Sequence, residues 1–387
     1  MAEIGVGLVG YKFMGRAHSN AYRQVARFFD VDPAPRMRAI CGRDEAAVKD
    51  AAASLGWEGY ETDYAALIAR DDIELIDVST PGFTHKEIVL AALAAGKHVL
   101  CEKPLANTLD EAREMLDAAR KAGTVAMVNF NYRRVPAVQL AKRLIDDGRL
   151  GEIRHYRAVY LQDWVLDPSF PLVWRLRKEL AGSGALGDIG AHILDLAHFL
   201  VGPVTEVVGT LDTFIKERPV EVSGGGGAGL QAERGQQMGE VTVDDATNFL
   251  ARFENGATGT FAATRLAAGR RNRNSFEING SKGSVVFDLE RLNELQAFFV
   301  DDDADVQGYR TINVTGPSHP YGGHWWPAGH ILGYEHTFVH AIKDLLEGIK
   351  TGTAPAPTFK DGFRCQAVLD AVERSATSRT WERPEQA

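Results

Sequence analysis

Apolar residues in the first third of the chain fall in short, dense runs, whereas those further on tend to alternate with polar ones. Ile4-Gly-Val-Gly-Leu-Val9, Met37–Cys41, Ile73–Ser79, His98–Cys101 and Val125–Asn129 are the dense runs. Runs of this kind read as strands buried on both faces. Between them lie stretches of helical character at Arg16–Phe29, Glu45–Leu55, Thr84–Ala95 and Leu109–Ala122, with Thr84 placed as an N-cap. Strands alternating with helices predict an α/β fold, here a doubly wound parallel Rossmann sheet covered by helices on both faces.

From Gly151 the pattern changes. Ile153–Gln162 alternates and is rich in β-formers, and Val204–Phe214, Ala246–Glu254, Thr258–Thr264, Asn274–Ile278 and Gly283–Phe287 read as further strands. Asn255-Gly256 and Gly280–Gly283 mark turns between them. Asp188–Leu200, Tyr334–Gly348 and Asp361–Ser378 read as helices. Ser223–Gly239, rich in Gly and Gln, reads as an exposed flexible insertion. The expected organisation is a dinucleotide-binding domain over 1–130 and a substrate-binding and oligomerisation α+β domain over 131–387. The second carries a large, mostly antiparallel open sheet, and its last helix returns toward the first domain.

Length and charge narrow the function classes. A chain of 387 residues suggests two domains. Lys plus Arg number 43 against 52 Asp plus Glu, a net charge of −9, so neither nucleic acid nor an anionic membrane is an expected partner. Three cysteines, Cys41, Cys101 and Cys365, have no metal-ligand spacing and suit a reducing cytosol, so no metal is expected and a cytoplasmic location is. Ile4–Val9 is too short for a signal-peptide core, and no apolar run is long enough to span a membrane.

The candidate chemistry lies in the turns. Ligands of doubly wound sheets bind beyond the carboxyl ends of the strands. That rule gathers Gly10–Gly15, Gly42-Arg43, Thr80-Pro81-Gly82, Glu102-Lys103 and Asn131-Tyr132 on one edge. The glycine turn is an imperfect dinucleotide fingerprint, because Lys12 stands where the middle glycine belongs; the helix start remains available for phosphate. At the second strand, Gly42 replaces the acidic residue that takes the ribose of NAD, and Arg43 adds a guanidinium that permits NADP. NAD and NADP both stay open. In the second domain, Gly184-Ala-Leu-Gly-Asp188-Ile-Gly-Ala-His192 sets a carboxylate and an imidazole four residues apart. Lys103, Asp188 and His192 together would make a proton-transfer set for oxidising an alcohol.

Taken in order, the N-terminal glycine turn, Ser79-Thr-Pro81 with His85, Cys101-Glu-Lys-Pro104, Asn129-Phe-Asn-Tyr-Arg133, Trp174-Arg175 and Gly187–His192 resemble the Gfo/Idh/MocA family of oxidoreductases over nearly the whole chain. Tyr160-Leu-Gln-Asp-Trp164, Ser183–Asp188 and His319-Pro-Tyr-Gly322 are similar to the sugar and glycoside dehydrogenases within it. The resemblance implies hydride transfer between NAD(P) and a ring hydroxyl of a sugar, glycoside, anhydrosugar or cyclitol, with C3 of a glucose-like ring expected. It implies Lys103 beside the reacting hydroxyl, His192 as general base and Asp188 as orienting or relaying group. Tyr132, Gln162 and Arg133 would bind other hydroxyls. Cofactor contacts would come from Gly10, Lys12, Phe13, Met14, Arg43, Thr80, Pro81, His85, Glu102, Asn131, Trp174 and Arg175. Gly82 departs from the asparagine many relatives carry there. A homo-oligomer, a dimer or a tetramer, is expected. The alternatives are a glycoside-cleaving enzyme of the same fold using transient ring oxidation, and a non-catalytic sugar sensor or regulator.

Overall fold

Ile4, Val6, Leu8 and Val9 are buried, and so are Leu75, Ile76 and Val78, which pair with them as parallel neighbours. The computed structural model describes residues 2–222 and 233–387, which divide into two compact units. The first comprises Met1–Asn131 and Gly333–Gln366. Its sheet has six strands: β1 (Glu3–Val9), β2 (Ala34–Cys41), β3 (Gly59–Glu61), β4 (Leu75–Val78), β5 (His98–Glu102) and β6 (Ala126–Asn129). They run parallel in the order β3-β2-β1-β4-β5-β6, so the strand order reverses between β1 and β4. That reversal is the switch point of a Rossmann sheet.

Helices at Phe13–Phe28, Glu45–Leu55, His85–Ala94 and Leu109–Ala122 occupy the connections, as the alternating pattern predicts. Thr108 and Glu111 form a capping box at the start of the last of these. Thr84 does not cap. Its hydroxyl donates back to Pro81 O and Thr80 Oγ1, and a short 3-10 turn, Gly82–Thr84, precedes the helix. The helix Tyr334–Thr351 also belongs to this unit, where Phe338 meets His18 at 5.3 Å between ring centroids.

The second unit comprises Tyr132–Leu332 and Ala367–Ala387. Its strands are β7 (Ile153–Leu161), β8 (Val204–Asp212), β9 (Glu217–Glu221), β10 (Arg234–Glu240), β11 (Ala246–Phe253), β12 (Thr258–Thr264), β13 (Arg273–Gly280), β14 (Gly283–Asp288), β15 (Glu294–Phe299) and β16 (Arg310–Asn313). Eight of them form one sheet in the order β16-β15-β14-β13-β7-β12-β11-β8, antiparallel except where β12 runs parallel to β7. One face is packed. Tyr156, Phe249, Phe261, Phe276 and Phe287 line it, and Tyr156 donates its hydroxyl to Ile193 O in the helix Ala191–Leu200. That helix is buried along nearly its whole length, as befits one that is apolar almost all round.

Strands β9 and β10 make a separate antiparallel pair. This corrects part of the reading of Ser223–Gly239 as a flexible insertion: Arg234–Glu240 is a strand held by main-chain pairing. Residues 223–232 lie outside the described residues.

Candidate active site

In the first unit the strand ends determine where each group stands. The chain leaves β1 through Gly10 at φ +105°, and a Cβ there would lie 2.8 Å from Ser79 O. A Cβ on Gly15 would lie 2.1 Å from Gly10 O. The Gly10–Gly15 turn therefore closes only with glycine at both ends. Lys12 occupies the N-cap position of the Phe13–Phe28 helix without a side-chain cap, and the first turn carries no acidic residue. Such an end, with its outward amide groups and positive dipole end unneutralised, suits a pyrophosphate. Phe13 is exposed and stacks on Tyr334 at 6.4 Å, while Met14 is half-buried.

Thr80 and Pro81 lead out of β4. His85 is buried below them, with Nε2 2.8 Å from Thr80 O and Nδ1 3.0 Å from Pro104 O. It ties the loop after β4 to the loop after β5. Burial lowers its pKa against the pull of those carbonyls.

Glu102 ends β5 and faces inward. Its Oε1 accepts from Asn129 Nδ2 at 2.7 Å and meets His18 Nε2 at 2.9 Å, while Oε2 accepts the Lys103 backbone N–H at 3.2 Å. On the other side of the His18 ring, Nδ1 is 2.7 Å from Asp77 Oδ2, which also accepts from Tyr22. Burial opposes charge on His18, but Asp77 and then Glu102 outweigh it and push the pKa up to about 10. Glu102 is shifted the opposite way: burial would raise it, and His18 and Asn129 bring it down. An imidazolium between two carboxylates thus underlies Lys103. Asn131 is buried and donates to Thr337 Oγ1 at 2.9 Å.

The second unit supplies a different set. Asp188 lies in a π-helical turn, Leu186–Gly190, that runs straight into the helix bearing His192. The four-residue spacing is therefore taken over a widened turn, a feature common at functional sites. Asp188 is gripped by two guanidinium groups, Arg175 Nη1 at 3.3 Å from Oδ1 and Arg265 Nη1 at 3.3 Å from Oδ2. Arg175 stacks on Trp174, 4.4 Å from its ring centroid. Arg265 is fully buried, and its Nε and Nη2 have no hydrogen-bond partner among the described residues.

His192 is buried against Tyr132 and Tyr160, with ring centroids 4.7 and 5.8 Å away. Tyr160 donates its hydroxyl to Asn272 Oδ1 at 2.9 Å, so Tyr132 is the donor in the 3.0 Å contact between the two hydroxyls. Gln162 Nε2 donates to the same Asn272 oxygen at 2.8 Å, and Trp164 Nε1 donates to Gln162 Oε1 at 3.0 Å. The result is a wall of hydroxyl, amide and indole groups beside an imidazole. The Arg133 guanidinium is buried and bound twice to Asp195, at 2.9 and 2.6 Å.

Sequence reading missed Arg265 and Asn272 as site residues. Both arrive by strand pairing: Arg265 follows Thr264, which pairs with Leu161, and Asn272 precedes Arg273, which also pairs with Leu161. Tyr160 and Trp164 carried a usable signal, since they flank Gln162 at a period of two where β7 ends.

Residues 4–130 match the NAD-binding Rossmann domain of the oxidoreductase family, and residues 138–286 match the GFO/IDH/MocA C-terminal domain. The chain belongs to the Gfo/Idh/MocA family of oxidoreductases. It is 44% identical to levoglucosan dehydrogenase of Pseudarthrobacter phenanthrenivorans over 98% of each chain. Among solved structures, it is similar to an oxidoreductase domain protein from Kribbella flavida, with 53% identity, a TM-score of 0.94 and full coverage of both chains. A levoglucosan dehydrogenase in complex with NADH and levoglucosan matches with 42% identity, a TM-score of 0.94 and the same coverage. As a Gfo/Idh/MocA protein the chain is an NAD(P)-dependent oxidoreductase, and its first unit carries the NAD-binding fold. No helix among the described residues is long and apolar enough to cross a membrane.

Proposed function

We propose that this protein is a sugar dehydrogenase that oxidises a ring hydroxyl, at C3, of a glucose-like sugar or anhydrosugar such as levoglucosan. The observation that carries the reading is the polar wall of Tyr132, Tyr160, Gln162, Trp164 and Asn272 beside His192. Such a wall can satisfy several neighbouring hydroxyls while leaving one opposite a base. Similarity over 98% of each chain to a levoglucosan dehydrogenase supports this class of ligand.

NAD(P), when bound, supplies the hydride acceptor. The Gly10–Gly15 turn would take its pyrophosphate, with Lys12 adding charge and Phe13 and Met14 opening the helix behind it. Thr80, Pro81 and Asn131 would line its path. Glu102 and His85 support the adjoining loops from beneath. His192 takes the hydroxyl proton as general base. The Lys103 ammonium favours the developing alkoxide. Asp188, held by Arg175 and Arg265, orients the sugar. In this reading the first unit binds the dinucleotide, and the second, Tyr132–Leu332 with Ala367–Ala387, binds the sugar and assembles the oligomer. The three buried free thiols suit a cytosolic location.

The test is reduction of NAD+ and NADP+ by purified protein across a panel of sugars, glycosides and anhydrosugars, with the product identified by NMR. A 3-keto product from levoglucosan or a glucose-like ring is expected. Release of an aglycone without net cofactor reduction, or no turnover with any polyol, would overturn the proposal.

A further inference from the structure

The carboxyl end of β2 is where a dinucleotide fold chooses between a free ribose and a 2′-phosphate. An acidic side chain there holds both ribose hydroxyls and repels the phosphate. In this chain that position is Gly42, and the structure gives a reason beyond the missing carboxylate. A Cβ on Gly42 would lie 2.1 Å from Tyr11 Cε1 and 2.4 Å from Tyr11 Cδ1. The Tyr11 ring thus fills the volume an acidic side chain would need. Position 42 and position 11 are sterically coupled.

Three neighbouring carboxylates hold partners of their own. Asp44 accepts Ala47 N at 3.1 Å and caps the Glu45–Leu55 helix. Asp63 caps the next helix through Ala66 N at 3.2 Å. Glu61, on the adjacent β3, is paired with Arg70 at 3.2 Å. Two cations also stand at this edge. Lys12 Nζ lies 5.0 Å from the Tyr11 ring centroid, and Arg43 is exposed. Burial raises the Tyr11 pKa, Asp44 raises it further and Arg43 opposes them, so both charges lie near its hydroxyl.

We propose that Tyr11 is a cofactor-selectivity residue: its ring takes the place of the ribose-binding acid and, with Lys12 and Arg43 beside it, opens this edge to the 2′-phosphate of NADP. The inference rests on the reading of the chain as an NAD(P)-dependent dehydrogenase and deepens it. Two consequences follow. The protein discriminates weakly between NAD+ and NADP+, because no acidic side chain stands at position 42 to claim the ribose hydroxyls and a guanidinium can pair with the phosphate. An acid restored at position 42 works only when Tyr11 is removed.

Calorimetric titration of the full-length protein with NAD+ and with NADP+ tests both points independently of turnover. In the parent the two Kd values should agree within about tenfold, and Arg43→Ala should shift their ratio against NADP+ by about tenfold. Gly42→Asp should weaken both cofactors, because Tyr11 is forced from its place. Tyr11→Ala/Gly42→Asp should recover NAD+ binding and disfavour NADP+ by about a hundredfold. Thermal melts identify any variant that fails to fold, and the parent ratio and the Arg43→Ala shift stand without the Gly42 variants. NAD+ binding with NADP+ more than about a hundredfold weaker in the parent overturns the inference. Gly42→Asp binding NAD+ as tightly as the double variant does so too. Failure of both dinucleotides to bind overturns the dehydrogenase reading itself, and this inference with it.

Discussion

His18 lies between Asp77 and Glu102, and Tyr22, Ser79 and Asn129 complete the hydrogen bonds around these carboxylates. Its pKa of about 10, against an ordinary value of 6.5, makes a stability statement with a definite sign. A proton bound more tightly in the folded state stabilises fully below about 6.5. That contribution is lost as pH rises from there through about 10. The melting temperature should therefore fall over this window, and nitrogen-15 NMR should find both ring nitrogens of His18 protonated at pH 8. A neutral imidazole at that pH would sink the charged-bridge account. The reacting groups give a second prediction at this scale. Lys103→Ala and His192→Ala should each lower turnover by about two to four orders of magnitude while the melting temperature stays near the parent's. Near-parent kcat in either variant would remove that residue from the chemistry.

The π-helical turn Leu186–Gly190 is held in place by Asp244, whose carboxylate accepts Gly184 N at 2.7 Å and Leu186 N at 2.8 Å. Burial raises the Asp244 pKa in spite of these bonds. A Cβ on Gly184 would lie 1.8 Å from Asp244 O, so the close approach needs glycine. Asp244→Ala should destabilise the fold by about 1–3 kcal/mol in chemical denaturation, because it strands buried amides, and should raise KM by displacing Asp188. Unchanged stability would mean that the turn holds itself. Much at this scale was legible: dense apolar runs marked β1, β2, β4, β5 and β6, and alternation marked β7, β11 and β12. The three-residue β3 is too short to carry a pattern. Strand β10, Arg-Gly-Gln-Gln-Met-Gly-Glu, has no apolar alternation and exists through main-chain pairing with β9. Strand β15 did carry a signal, since Leu295, Ala297 and Phe299 alternate inward, yet it was not read. Within the site, Asp188, His192 and Gln162 were visible as local motifs. Arg265 and Asn272 were not, because strand register rather than local sequence brings them there.

The eight-stranded sheet of the second unit bears on the state of the whole molecule. Its packed face buries Phe249, Ala251 and Phe253, and the same strand turns Leu250 and Arg252 outward. Cross-strand pairing spells out the other face. One row runs Val208, Leu250, Thr260, Arg157, Glu277, Val286, and the next runs Thr210, Asn248, Ala262, Val159, Ser275, Asp288. These rows line a depression of about 800 Å³. The apolar residues sit among neutral polar ones, with charge confined mainly to Arg157, Glu277 and Asp288. A strand face of this composition, with Leu250 47% exposed, is not built for water alone. A second copy of the chain, related by a twofold axis, would bring the same self-complementary rows together. Light scattering at micromolar concentration should give a multiple of the 42.3 kDa chain mass, two copies through this face alone or four where a second contact joins the pairs. Leu250→Glu should drive the assembly toward smaller species, since the contact would bury a carboxylate, while circular dichroism stays unchanged. A parent mass equal to one chain would mean that this face meets solvent and that the oligomer does not form through it.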